Sequence, residues 1–194
     1  KLSLNEIMEG LSLQLITYLL ALSKTKDTKD LLPAAMMYIY LHGRPKSISV
    51  PPNGIPHPKE KENTNGIFLN DPDVLRTLDS QSGTDDGFIG VSYVKDGSVK
   101  KTSPVLTAEE FEALKALTEK ILIRLYSRLE SGEIAIHPVK NGTLSPCSYC
   151  PYRSICRFDP ALPENSFDYI SKVSDKTIRE KLDEEMKRNG KENL

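Results

Sequence analysis

The chain has 194 residues, of which 38% are hydrophobic, with 26 basic and 27 acidic side chains. This length and composition predict one globular domain with a sizeable core and a peripheral segment. The near balance of charge excludes the overall positive charge of many autonomous nucleic-acid-binding proteins, so any contact with nucleic acid must depend on local sites. The apolar runs stop well short of the roughly 20 residues that span a bilayer, which predicts no membrane segment.

The first predicted element is a helix from about residue 4 to residue 22. Ser3-Leu4-Asn5-Glu6 has the form of a capping box, in which a hydroxyl and a carboxylate satisfy opposite backbone donors at a helix start. Apolar residues follow at helical spacing on two nearly opposite sides, which predicts a helix that is packed on both.

Gln14 and Tyr18 are four residues apart on this predicted helix and therefore project from the same face, one turn apart. At the edge of the apolar stripe, an amide and a phenol could hold a phosphate or a water by hydrogen bonds. The alternative is structural, with Tyr18 in the core and Gln14 at its boundary. The spacing alone leaves both interpretations open.

The middle of the chain alternates between predicted strands, helices and loops. Residues 34–41 are apolar throughout and of strand length, which predicts a buried strand. Residues 51–66 combine four prolines with a run of charges, which predicts a mobile loop. A short segment, 66–69, precedes Asp71-Pro72, the expected start of a helix that ends near Leu78.

The second half begins with a hairpin signal, because residues 88–94 and 99–102 flank the turn pair Asp96-Gly97. Thr107-Ala108-Glu109-Glu110 has the form of another capping box and predicts a long helix that ends near Ser131-Gly132.

Two shorter elements follow the long helix. Residues 133–137 alternate as a short strand, and residues 174–188 can form an exposed helix. Strands that lie between helices around one core indicate an α/β or α+β domain.

The three cysteines of the chain, Cys147, Cys150 and Cys156, form the pattern C-x2-C-x5-C. Such crowding predicts metal or cluster binding, because C-x2-C lets two sulfurs approach one metal from a tight turn. Three thiolates are one ligand short of the four that tetrahedral zinc or a cubane iron–sulfur cluster uses. The fourth ligand would be a histidine of this chain or a cysteine outside it.

Zinc and iron–sulfur both remain open on the residues alone. His137 lies ten residues before Cys147, while His42 and His57 are on other segments and His57 falls in the predicted loop. Because a lone histidine at a strand end is more often a surface residue than a ligand, iron–sulfur with an absent cysteine is slightly favoured. Arg153 and Arg157 bracket the last thiol and could offset cluster charge or reach a DNA phosphate, or they could be solvated surface residues.

Other patterns narrow the compartment and the chemistry. An odd cysteine count, together with residues 1–22 that lack a signal-peptide pattern, predicts a reducing cytoplasm. The sequence has no G-x4-G-K-[ST] loop, no G-x-S-x-G and no H-E-x-x-H. The carboxylate pairs Asp71/Asp73 and Asp85/Asp86 occupy turn-like contexts, so we expect caps there and no magnesium ligands.

Two segments together resemble one protein family: G-L-S-L-Q-L-I-T-Y-L at residues 10–19 and P-C-S-Y-C-P-Y-R-S-I-C-R-F-D at residues 146–159. The chain resembles the C-terminal nuclease region of AddB (RexB) subunits of bacterial ATP-dependent helicase–nucleases. The resemblance implies a PD-(D/E)xK nuclease fold, truncated here, in residues 1–145. It also implies a cysteine loop at residues 146–160 and a polar extension at residues 161–194.

The resemblance also implies roles. Gln14 and Tyr18 would be the accessory Q-x3-Y motif that orients DNA, and the three cysteines would be three of four ligands of a [4Fe-4S] cluster whose first ligand precedes Lys1. The aspartate and D-x-K strand that hold Mg2+ would also precede Lys1. We therefore expect this fragment alone to be inactive, with neither cofactor site complete.

The family would act with an AddA-type partner subunit on linear double-stranded and unwound single-stranded DNA, degrading the 5′-ended strand at breaks during recombinational repair. Three alternatives remain. One is a zinc-stabilised binding module without catalysis, another is a CRISPR-associated RecB-like exonuclease, and the third is an interaction domain of a large complex.

Overall fold

The structure is a computed structural model that describes residues 2–28, 31–39, 64–84, 87–163 and 165–192. It confirms the predicted mixture of helices and strands. The elements in chain order are α1 (Leu4–Met8), α2 (Gln14–Ser23), β1 (Ala35–Tyr38), β2 (Asn65–Leu69), α3 (Pro72–Leu78), β3 (Val105–Leu106), α4 (Ala108–Glu130), β4 (Val139–Lys140), α5 (Arg153–Cys156), β5 (Asp168–Tyr169) and α6 (Asp175–Glu192).

The main sheet has the strand order β1-β2-β3. β1 runs antiparallel to β2, with Tyr38 opposite Asn65, and β2 runs parallel to β3. The strand predicted at residues 34–41 is confirmed over β1, but its full burial is wrong. Only Met36 is buried on β1, which is the edge of the sheet formed by the described residues.

The predicted loop at residues 51–66 ends earlier than expected, because Asn65 and Gly66 already pair with β1. Residues 51–63 of that loop, like residues 40–41 of the predicted strand, lie outside the described residues.

Apolar side chains form two clusters on opposite faces of the sheet, because successive strand residues point to opposite sides. We call the larger one the helical core. It contains Leu2, Ile7, Ile16, Met36, Ile67, Leu69, Leu106, Phe111, Ala113, Leu114 and Leu182. The second core contains Phe68, Leu75, Ile89, Val91 and Val105.

The single helix predicted over residues 4–22 is wrong, because the chain turns between α1 and α2. Gly10 and Ser12 have positive φ angles of 81° and 48°, a conformation that glycine adopts freely and that ends a helix. The hydroxyl of Ser12 donates to the carboxylate of Glu6 at 2.9 Å. The predicted capping box is also wrong, since Ser3 makes no side-chain cap at α1.

The later helix starts follow the sequence closely. Asp71 caps α3 by accepting from the backbone N–H groups of Asp73 and Val74. Thr107 and Glu110 form the complete predicted capping box at the start of α4. α4 ends where predicted, and Gly132 beyond it has a φ of 73°.

The hairpin at Asp96-Gly97 is confirmed as a turn, but its two strands shrink to one bridge between Tyr93 and Val99. Next to this turn, a side chain rather than a neighbouring strand binds the backbone N–H groups. The buried carboxylate of Asp79 accepts from the backbone N–H groups of Phe88 and Ile89 at 2.8 and 3.1 Å, which fixes the approach to this turn.

The strand predicted at residues 133–137 is wrong. Glu133 pairs with Arg128 at the end of α4, and that hydrogen bond holds the pKa of the Glu133 carboxyl below its usual range. Ile134 is 90% exposed, so the alternating pattern has no surface to pack on. The strand that does form, β4, starts at Val139 and pairs in parallel with β5.

The helix predicted at residues 174–188 is confirmed, but its predicted exposure is wrong. Ile178 and Leu182 are buried, and α6 packs along α4. Two ion pairs join these helices, Arg179 with Glu110 and Lys120 with the buried Glu185. No helix within the described ranges is both long enough and apolar enough to cross a membrane.

Candidate functional site

The structure brings Gln14 and Tyr18 together on one face of α2, where the amide nitrogen of Gln14 donates to the Tyr18 hydroxyl at 3.3 Å. Gln14 is the first residue of α2, so the turn at residues 10–13 determines the position of its side chain. Both side chains are exposed, with Tyr18 at 58%, and Tyr18 is therefore not the core residue of the structural alternative.

A third residue joins this pair. The hydroxyl of Tyr38, at the end of β1, donates to the amide oxygen of Gln14 at 3.4 Å. We call Gln14, Tyr18 and Tyr38 the Gln14 network. Sequence reasoning missed Tyr38, since only the packing of α2 against β1 brings it within reach.

The cysteine segment is built from two tight turns. A single 3-10 turn at Pro146–Ser148 carries Cys147, whose backbone N–H donates to the Ser145 hydroxyl at 3.3 Å. α5 ends with Cys156 and is capped by the next residue, Arg157, which has a left-handed φ of 51°.

The ends of this segment are tied together by contacts that involve no cysteine. β4 and β5 pair in parallel, and the rings of Phe158 and Phe167 meet edge to face with centroids 4.8 Å apart. The ammonium of Lys140 lies 4.9 Å from the Phe167 ring centroid. These contacts hold the two ends of the cysteine-containing loop close to each other.

The three cysteines are free thiols, half-buried at Cys147 and Cys150 and exposed at Cys156. Over the described part of the chain, no group of three or more His, Cys, Asp or Glu side chains is placed to hold a metal ion. Three thiolates suit an iron–sulfur cluster in kind, although their sulfurs are not grouped around one point in this structure.

His137, the histidine within the described residues, does not complete the set. The Nδ1 atom of His137 contacts the Ser166 hydroxyl at 3.0 Å, and His137 is not grouped with the cysteines. His42 and His57 lie outside the described residues. Arg153 and Arg157 are both exposed, as a contact with DNA phosphate requires.

The profile of the PD-(D/E)XK nuclease superfamily matches residues 2–157, which include the Gln14 network and all three cysteines. The chain therefore belongs to this superfamily. This confirms the fold class predicted from the sequence.

The chain is similar over nearly its whole length to AddB subunits of bacterial ATP-dependent helicase/deoxyribonucleases. It is 30% identical to that of Bacillus licheniformis over 97% of this chain and 17% of the relative. It is likewise 30% identical to that of Clostridium acetobutylicum over 97% of this chain and 17% of the relative. Its identity to that of Clostridium kluyveri is 33% over 90% of this chain and 16% of the relative. The chain thus spans about a sixth of the length of these relatives.

Proposed function

We propose that this chain is part of the nuclease domain of an AddB-type subunit of an ATP-dependent helicase–deoxyribonuclease, which degrades DNA at double-strand breaks for recombinational repair. The observation that carries the proposal is the agreement of two matches. One is to a nuclease superfamily over residues 2–157, and the other is to helicase/deoxyribonuclease relatives over 97% of the chain.

In this proposal the Gln14 network binds a DNA phosphodiester. The amide of Gln14 and the hydroxyl of Tyr18 are exposed and bonded to one another, so each can donate a hydrogen bond to a phosphate oxygen, while Tyr38 holds the Gln14 amide from behind. Hydrogen bonds to a charged group contribute about 1.5–3 kcal/mol, more than those between neutral groups. The network would therefore position the strand, while other residues carry out the hydrolysis.

Mg2+, when bound in such nucleases, lowers the pKa of the attacking water and offsets charge on the phosphate. The residues ahead of Gln14 do not fit this role, because residues 1–13 contain Glu6 and Glu9 but no aspartate, and Glu6 is engaged by Ser12. We propose that the isolated 194-residue chain does not cleave DNA.

The cluster ligands, the partner subunit and the DNA substrate are proposed from the same family. Cys147, Cys150 and Cys156 supply three ligands of a [4Fe-4S] cluster, with the fourth from elsewhere in the protein, and an AddA-type subunit is the partner. The complex acts on linear duplex DNA and on the single strands that ATP-driven unwinding releases, and its nuclease degrades the 5′-ended strand. The cysteine pattern and the closure of the loop by β4 and β5 support the cluster assignment.

One digestion experiment tests the proposal. The full-length protein with its partner subunit, its Gln14→Ala variant and the isolated chain receive the same linear duplex, Mg2+ and ATP. We expect Gln14→Ala to slow digestion by about 10- to 100-fold, the rate equivalent of one hydrogen bond to a charged group. The isolated chain should leave the DNA intact.

Gln81→Ala is the matched control, since Gln81 is an exposed glutamine in the turn after α3. It should digest DNA at the normal rate. Normal digestion by Gln14→Ala would contradict the role of the network, and sustained digestion by the isolated chain would contradict the proposed division of the active site.

A further inference from the structure

The ring of Tyr38 is anchored by packing, and its hydroxyl bonds Gln14. It lies on the same face of β1 as the buried Met36, and its ring packs against the helical core, as do Leu15 and Leu19 of α2. Its hydroxyl reaches past this packing to the amide oxygen of Gln14. A tyrosine held in this way loses little rotamer freedom when its hydroxyl bonds the amide of Gln14.

The hydrogen bonds of the Gln14 network have a direction. Tyr38 donates to the amide oxygen, and the amide nitrogen donates one hydrogen to the Tyr18 oxygen. Because an amide nitrogen carries two hydrogens and a phenol carries one, two donors stay available, one on Gln14 and one on Tyr18. Both residues are exposed, so the two donors can meet the same anion.

Without a partner on its oxygen, the amide would have no fixed orientation. The terminal torsion of glutamine is broad and roughly two-fold, so a free amide presents its oxygen and its nitrogen about equally often. An outward oxygen would repel a phosphate. The hydroxyl of Tyr38 fixes one orientation, because it donates a hydrogen bond to the amide oxygen and so leaves the amide nitrogen facing outward.

We propose that Tyr38 is a positioning residue, which orients the Gln14 amide so that Gln14 and Tyr18 present two donors to a DNA phosphate. The inference rests on the proposed nuclease function and adds to it a residue outside the Q-x3-Y pattern. Tyr38 acts through Gln14 and does not itself touch the DNA.

A double-mutant cycle tests this role in the full-length protein with its partner subunit, on linear duplex DNA. Tyr38→Phe keeps the packed ring and removes only the hydroxyl. We expect it to lower kcat/KM roughly 2- to 10-fold, the equivalent of one ordinary hydrogen bond. In a Gln14→Ala background the same change should have no further effect, because the group that Tyr38 orients is gone.

Tyr93→Phe is the matched control. Tyr93 is similarly half-buried and its hydroxyl bonds Ser82 at 3.0 Å in the second core, away from the network. It should leave kcat/KM unchanged, and circular dichroism should show all variants folded.

Three other outcomes of this cycle would contradict the proposal. If Gln14→Ala slows digestion while Tyr38→Phe does not, the positioning role is wrong and the proposed function stands. If Tyr38→Phe slows both backgrounds equally, Tyr38 acts independently of Gln14 and the inference is again wrong. If Gln14→Ala has no effect, the proposed phosphate contact fails, and the inference fails with it.

Discussion

Replacing Leu182 by alanine is expected to lower the free energy of unfolding of the chain by about 2–5 kcal/mol. Leu182 is 0% exposed and belongs to the helical core, although it lies on a helix that is polar on most of its surface. The loss combines the transfer of the removed carbons with the cavity that close-packed neighbours cannot fill. Urea denaturation followed by circular dichroism measures it.

Lys181→Ala is the control for this prediction, because Lys181 is the exposed neighbour on the same helix and alanine favours helix formation. It should change stability by less than about 0.5 kcal/mol. An equally small effect of Leu182→Ala would mean that α6 does not belong to the core, and the packing of α6 on α4 would be wrong.

Replacing Cys147 by alanine in the full-length protein is expected to abolish the iron–sulfur cluster that we propose. A cubane cluster needs its thiolate ligands, so protein purified without oxygen should fall from about four iron atoms per molecule to below one. Its broad visible absorbance should disappear with the iron. Because ligand binding by dispersed cysteines ties distant parts of a chain together, the free energy of unfolding should fall as well.

Ser154→Ala is the matched control, since Ser154 is an exposed small residue of α5 within the same loop. It should keep the iron and the absorbance. Stoichiometric zinc in the unaltered protein, lost on replacement of His137, would contradict the cluster and support a zinc-stabilised module.

Local signals predicted the starts of α3 and α4 correctly. The capping box at Thr107 and the cap at Asp71 each connect groups three residues apart or closer, so the sequence contains the whole interaction. The same pattern at Ser3 failed because Glu6 found a different partner in Ser12. Gly10 was the signal for that break, as glycine commonly ends helices.

The burial of α6 and the position of Tyr38 depend on packing between distant segments, which local sequence patterns do not contain. α6 was predicted to be exposed because it is rich in charge, although Ile178, Leu182 and Met186 recur every four residues and mark an apolar stripe. Tyr38 joined the candidate site only through the packing of β1 on α2. Spacing alone indicated a metal or cluster site at the cysteines and a possible phosphate contact at Gln14 and Tyr18, the resemblance to a family made those roles specific, and all of them remain predictions.

Site-specific crosslinking tests the central claim, that the Gln14 network faces DNA. In the full-length protein with its partner, p-benzoylphenylalanine replaces Tyr18 in one sample and Tyr126 of α4 in another. These tyrosines are similarly exposed, at 58% and 63%, so general accessibility is matched. After irradiation with labelled linear DNA, we predict a crosslink from position 18 and little from position 126. Equal crosslinking at both positions, or none at position 18, would contradict the account.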